Sequence, residues 1–209
     1  MRIALVSEGP SARDYPGPDG YDEVVGANGV PSLWRCTWWV FMDPEMYLHW
    51  MNMTIGRPNI LCPRRMEGEI RGTFKAKGLQ ERWKEDLDSG RVVYEDQVPP
   101  VPPMPMCIPI LQAGNMKGSA RWDQYTGLAC LTCCWFLADR AGVTADVDVY
   151  GVDLDGIGDC HEREGAPART PDRWIAERRL FQGLVDGFRA SGDLRINWPQ
   201  EKRNGDGAE

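Results

Sequence analysis

A helix-length apolar run, Leu128 to Ala141, constrains the fold more than any other stretch; the small-residue turn Tyr125-Thr126-Gly127 opens it and Asp146-Val-Asp-Val-Tyr-Gly-Val-Asp153-Leu-Asp155 follows it. Val147 to Val152 reads as a buried strand ending in carboxylates, so the unit is a helix feeding a strand. In an open α/β sheet, ligands bind beyond the carboxyl ends of the strands, and a helix N-terminus facing that crevice offers N–H groups to an anion. The unit therefore carries the parts of a phosphate-binding edge, and the remaining chain reads as what is wound around it.

Three earlier apolar runs end in the same manner. Arg2 to Val6 enters the turn Ser7-Glu8-Gly9-Pro10-Ser11, where Gly9 allows a tight bend and Pro10 suits a first helical turn. Glu23 to Ala27 runs into Asn28-Gly29, and Cys36 to Met42 into Asp43-Pro44-Glu45. Ser7 or Glu8, Asn28 and Asp43 thus finish successive strands with groups able to hydrogen-bond a ligand, and a parallel sheet would bring them to one edge. Pro58 to Cys62 reads as a fourth strand, and the charged stretch Gly78 to Leu87 as a short surface helix. Pro99 to Pro105 must be an extended loop, because its prolines lack N–H donors. Thr170 and Pro171 start a helix in which Trp174, Ile175, Leu180, Phe181, Leu184, Val185 and Phe188 recur at helical spacing. Asp193 to Asn197 reads as the last strand.

The expected class is α/β, a mostly parallel sheet flanked by helices. With 209 residues, 42% hydrophobic and 26% charged, one domain over 1–198 is expected, with 57–106 as a basic, proline-rich insertion or lid and 199–209 as a flexible tail. The longest clean apolar run, Leu128 to Ala138, is too short to span a membrane, and Met1 to Val6 is too short for a signal peptide, so a cytoplasmic location with no membrane partner is expected. The seven cysteines are odd in number and mostly sit in apolar stretches, which reads as buried, reduced thiols. Cys130-x-x-Cys133 lies inside the apolar helix with no second pair of ligands nearby, so it reads as packing.

A net charge of −7 excludes a protein that coats nucleic acid over its whole surface. Locally, residues 57, 64, 65, 71, 75, 77, 82 and 84 are basic, against acids only at 67, 69 and 81. With Phe74 and Trp83 interleaved, this segment is compatible with a polyanionic acceptor such as nucleic acid, and equally with a solvated surface paired against acidic neighbours.

The order of these motifs resembles a Rossmann-like superfamily. It contains bacterial lipo-oligosaccharide sialyltransferases, flagellin-glycosylating motility-accessory proteins and archaeal 6-hydroxymethylpterin diphosphokinases. The shared features are a first strand into Gly-Pro-Ser, a second ending in Asn, a third ending in Asp-Pro, Thr-Gly opening a helix, a strand ending Gly-Val-Asp-Leu, and a final helix beginning Trp-x-x-Glu. The likeness covers roughly 1–50 and 120–198. It implies a nucleotide-binding domain in which Gly9, Pro10 and Ser11 form the first nucleotide-binding turn, with Asn28 and Asp43 at the next strand ends. Thr126 and Gly127 would hold the donor phosphate, Asp153 would be the acid of the strand end, and His161 would follow it as in the flagellin-modifying branch. The sialyltransferases carry Asn where this chain has Glu8, which speaks against a cytidylate donor.

The resulting expectation is a glycosyltransferase that uses a nucleotide sugar and a hydroxyl acceptor, conceivably hydroxymethylated DNA with its base flipped out. Histidine suits the base role because its pKa lies near working pH. His161, in a glycine-acid loop, is the candidate; His49, in an aromatic stretch, reads as packed structure. Arg64, Arg65, Lys75, Arg169 and Arg173 are candidates for phosphate or acceptor contacts. Asp153 and Asp155 could hold Mg or Mn on a diphosphate, or simply cap the next turn. An ATP-dependent pyrophosphokinase and a nucleotide-binding module without catalysis are the alternatives, and self-association is compatible with either.

Overall fold

The short apolar runs bounded by Gly, Pro, Asn and Asp become strands, and the computed structural model, which describes residues 1–77, 80–99, 125–154 and 171–203, joins them into one sheet. Its strands are β1 (Arg2–Val6), β2 (Glu23–Ala27), β3 (Trp38–Val40), β4 (Asn59–Cys62), β5 (Val92–Tyr94), β6 (Ala145–Tyr150) and β7 (Leu194–Asn197). The order is β5-β4-β3-β2-β1-β6-β7, and every neighbouring pair is parallel. The strands run in sequence order from β1 out to β5, and β6 and β7 lie on the other side of β1. This is a doubly wound α/β, Rossmann-like architecture whose strand order reverses between β1 and β6.

Residues 59–94 were expected inside an insertion, but they continue the sheet: β4 and β5 are its outer strands, and α2 (Met66–Lys77) and α3 (Gln80–Asp88) form the connection between them. The proline-rich stretch beyond Pro99 lies outside the described residues, as do 204–209 of the expected tail. A further helix, α1 (Pro44–Trp50), begins where β3 was expected to run out.

Register assigns the two faces. Leu5 stands beside Val25 and Val149, Val25 beside Trp38, and Trp38 meets Phe136 of α4 (Thr126–Ala141) edge-on at 6.2 Å. On this face α4 has every residue from Leu128 to Ala138 buried, and its Trp135 stacks on Phe188 of α5 (Pro171–Ser191). A helix apolar all round belongs between two layers, here the sheet and α5. It stops at Gly142, whose φ of 64° is the left-handed conformation that ends helices. On the opposite face Trp39 stacks on Tyr47 of α1 at 5.4 Å, while Ala4, Val6 and Val24 pack against Ala12, Tyr15, Val30 and Cys36. The same face of β6 and β7 is polar: Asp146 pairs with Arg195, and Asp148 with Arg2 and Asn197. Among the described residues no helix is long and apolar enough to cross a membrane.

Cys36, Cys62, Cys130, Cys133 and Cys134 are free and buried. Burial pushes the Cys36 thiol up to about 12 and raises the other four as well. These thiols are protonated in the folded chain at pH 8, so an aromatic disulfide reagent should label none of the five until denaturant is added; peptide mass mapping reads this directly. The linkage sign follows. Stability is full below the ordinary thiol value near 9 and falls as pH rises toward 12, because the unfolded chain loses those protons first. Thiol labelling of the native fold at pH 8 would show that the helix core opens.

Candidate functional site

At the C-terminal edge of the sheet, where the strand order reverses, the loops after β1 and β6 are stitched together. Ser7 N–H donates to Tyr150 O at 2.8 Å and Gly9 N–H to Gly151 O at 2.8 Å. Ser11 N–H donates to Asp153 Oδ2 at 2.9 Å, and Gly151 N–H donates to Ser11 Oγ at 2.9 Å. The loops pass so closely that a methyl on Gly9 would lie 2.6 Å from Gly151 O. Pro10 opens the one-turn 3₁₀ helix Pro10–Asp14, whose own N-cap, Gly9, has no side chain to offer. Asp153 supplies that missing cap from 142 residues away.

Trp198, which sequence reading passed over, completes the seam. Its indole N–H donates to Val152 O at 2.8 Å while its ring meets Phe181 edge-on at 4.8 Å. The signal was present as the alternation Leu194, Ile196, Trp198, which continues the buried face of β7 one step past the strand. Trp198→Phe keeps the packing and deletes the donor, leaving a buried carbonyl unpaired. A loss of about 2 kcal/mol is expected in urea denaturation, and a loss below about 0.5 kcal/mol would show that the bond does not hold the β6 loop.

On the other side of β1 the edge is built differently. Glu8 is 6% exposed, and its carboxylate accepts from Gly29 N–H at 2.7 Å and from Asn28 Nδ2 at 3.2 Å. Asn28 has φ of 45°, a left-handed conformation that Asn tolerates better than most residues, and Trp39 Nε1 fixes its carbonyl at 2.6 Å. Its Oδ1 accepts from Thr126 Oγ1 at 3.4 Å. The ends of β1 and β2 and the start of α4 therefore meet through side chains. The only other non-glycine residue with positive φ among the described residues, Leu154 at 51°, follows Asp153 in the β6 loop.

At the start of α4 the N-cap Tyr125 makes no side-chain cap bond, and the first backbone bond into the helix runs from Ala129 N–H to Tyr125 O. The N–H groups of the first turn have no intrahelical acceptor, so this end carries partial positive charge. Thr126 and Gly127 are half-buried, and Gly127 is not crowded. Asp43, at the N-cap of α1, makes no side-chain cap bond and lies exposed beyond β3.

Ser7, Glu8, Gly9, Pro10, Ser11, Asn28, Thr126, Gly127 and Asp153 thus occupy the edge formed by the ends of β1, β2 and β6 and the start of α4. Ser11 and Asp153 spend their groups on each other's loops. His161, Asp155 and Arg169 lie outside the described residues, as do the side chains of Lys75 and Arg173. His49, expected to be packed, is exposed on α1 with its ring against Trp50, because its helix turns that face outward. The basic segment is largely paired. Arg57 meets Glu85 at 3.0 Å, Arg64 binds Asp96, Arg71 meets Glu67 at 2.5 Å, Arg82 meets Asp86 at 3.5 Å and Lys84 binds Asp88. Arg65 is also engaged.

Of the Asp153 and Asp155 pair expected to hold Mg or Mn, Asp155 lies outside the described residues. Asp153 is 8% exposed with Oδ2 committed to Ser11, and among them no group of three or more His, Cys, Asp or Glu could hold an ion. What the fold and edge define is a doubly wound α/β protein with the start of α4 beside the ends of β1 and β2. The chain matches no family model, no curated protein and no solved structure.

Proposed function

We propose that the chain is a glycosyltransferase that takes a sugar from a nucleotide diphosphate donor and passes it to a hydroxyl acceptor. The observation that supports this reading is the meeting of Gly9, Asn28 and the Thr126-Gly127 helix start at one sheet edge, although they come from distant parts of the chain. Because the loops after β1 and β6 close on each other, the donor would lie toward β2, over Asn28, with its diphosphate against the first turn of α4. In the reaction the acceptor oxygen attacks the anomeric carbon and the bond from that carbon to phosphate oxygen breaks. The diphosphate leaves with the electron pair, and a base takes the acceptor proton, the role proposed for His161. Helix N–H groups would stabilise the charge that grows on the leaving phosphate.

The ion pairs along the basic segment leave little free positive charge for a nucleic acid acceptor. Binding of DNA oligonucleotides is therefore expected to vanish at physiological salt.

Thermal shift against UDP-sugars, GDP-sugars, CMP-sialic acid and ATP, with mass spectrometry of products, tests the reading. A diphosphate sugar at a hundredfold excess over its Kd should stabilise the fold by about 2.7 kcal/mol, and Asn28→Ala should remove the response. A response to ATP with pyrophosphoryl transfer would replace this reading with the kinase. Binding without turnover would leave a nucleotide-sensing module, and no response to any of the four would end the proposal.

A further inference from the structure

We infer that Glu8 sets the hydrogen-bond polarity of this edge: acting through Asn28, it turns the Thr126 hydroxyl proton inward, so that Thr126 presents a ligand with an acceptor oxygen and no donor. The inference rests on reading the edge as the donor site and names what that site accepts there. The starting point is Gly29, whose backbone N–H is a fixed donor 2.7 Å from Glu8 Oε1. The Asn28 atom 3.2 Å from Glu8 Oε2 is the amide nitrogen, which donates to it. The carboxamide is thereby oriented with Oδ1 toward Thr126. Oδ1 can only accept, so at 3.4 Å the Thr126 hydroxyl must be the donor. That hydroxyl has one proton, and once it is spent on Asn28 only lone pairs remain for anything outside.

The consequence divides the edge by chemistry. A phosphate oxygen, which only accepts, finds its partners in the backbone N–H groups of the first turn of α4 and is repelled by the lone pairs of Thr126 Oγ1. The group lodged against that oxygen must itself donate, as a ribose or sugar hydroxyl or an amino group does. Glu8 is then a positioning residue and Thr126 the specificity-determining one. Changing a single atom of Glu8 should invert the arrangement. In Glu8→Gln the amide oxygen must stay on Gly29 N–H, which turns the new NH₂ toward Asn28. Two donors cannot face each other, so the Asn28 carboxamide rotates by half a turn, its nitrogen donates to Thr126, and the Thr126 proton swings outward.

Nuclear Overhauser contacts of the Asn28 side-chain amide protons test this without any ligand. In the unmodified chain they should run to the Glu8 γ-methylene, and in Glu8→Gln to the Thr126 γ-methyl. Contacts to the Thr126 methyl in the unmodified chain would overturn the inference even if the variant failed to fold. Inorganic pyrophosphate supplies the second arm, measured calorimetrically on the unmodified chain, Glu8→Gln, Thr126→Val and the double variant. Glu8→Gln should bind about tenfold more tightly, and most of that gain should disappear in the Thr126→Val background, where the hydroxyl is gone. An equal gain in both backgrounds would reduce Glu8 to a bare charge and sink the polarity argument. If none of the four binds pyrophosphate, the donor-site reading fails, while the amide contacts still decide the polarity.

Discussion

Gly151→Ala is expected to cost about 4 kcal/mol of folding stability, a large fraction of the roughly 5–15 kcal/mol that native domains have. The position has φ of 70°, which costs an L-residue roughly 1 kcal/mol. The larger share is steric. A methyl there would overlap the Ser7 carbonyl and stand 3.1 Å from Ala12 Cβ. Ser7 cannot retreat without breaking its bond to Tyr150 O, and Gly9 is held to Gly151 O itself, so the overlap falls on backbone rather than on a side chain that can swing aside. Gly142→Ala is the control: its φ is 64°, but nothing lies within 4 Å of the added atom. It should lose about 1 kcal/mol. Urea midpoints of the two variants separate the conformational cost from the steric one, and equal losses would show that the seam between the β1 and β6 loops yields easily.

Asp86→Ala should cost about 3 kcal/mol, because it would leave two partly buried arginines and the Tyr47 hydroxyl without their shared carboxylate. Asp86 is 3% exposed near the end of α3, and three elements converge on it. Tyr47 of α1 donates its hydroxyl at 2.5 Å, Arg91 at the start of β5 donates at 2.5 Å, and Arg82 lies one helical turn back at 3.5 Å. Burial, and then the Asp86 carboxylate, hold the Tyr47 hydroxyl far above its ordinary range, so it remains a neutral donor. Tyr47→Phe removes one bond and leaves both arginines served, so about 1 kcal/mol is expected. Chemical denaturation of the two variants gives the comparison. If Tyr47→Phe proved the worse, the cluster would be held by α1 packing and not by the buried carboxylate.

These two variants probe features that were unevenly visible in the sequence. The strands β1 to β4 were legible as short apolar runs closed by a polar or flexible residue, and β6 and β7 by their alternation of apolar and polar residues. β5 was not, since Val92, Val93 and Tyr94 are only three residues in a charged neighbourhood. α1 was legible only as an aromatic-rich helical stretch around Tyr47 to His49; its start was not, because Asp43-Pro44 was taken as a strand end. α2 buries Ile70 but shows no apolar stripe to reveal it. The gathering of Gly9, Asn28 and Thr126 at one edge followed from parallel-sheet logic alone. Who bonds to whom did not. Nothing local to Asp153 announces that it caps a turn 142 residues earlier, and nothing in Glu8 announces that it holds Asn28 and Gly29.

The central place of β1 has a bearing on how the molecule is made. β1 is synthesised before the other strands of the sheet, and β2 is at hand within some twenty residues, yet its second neighbour begins at Ala145. Until that point is synthesised, one flank of the founding strand has no partner and the apolar crossover helix has no complete platform. Such long-range closure is slow, and the nascent intermediate exposes a bare strand edge. Chaperone dependence should therefore end only after the sixth strand has emerged and docked beside the first.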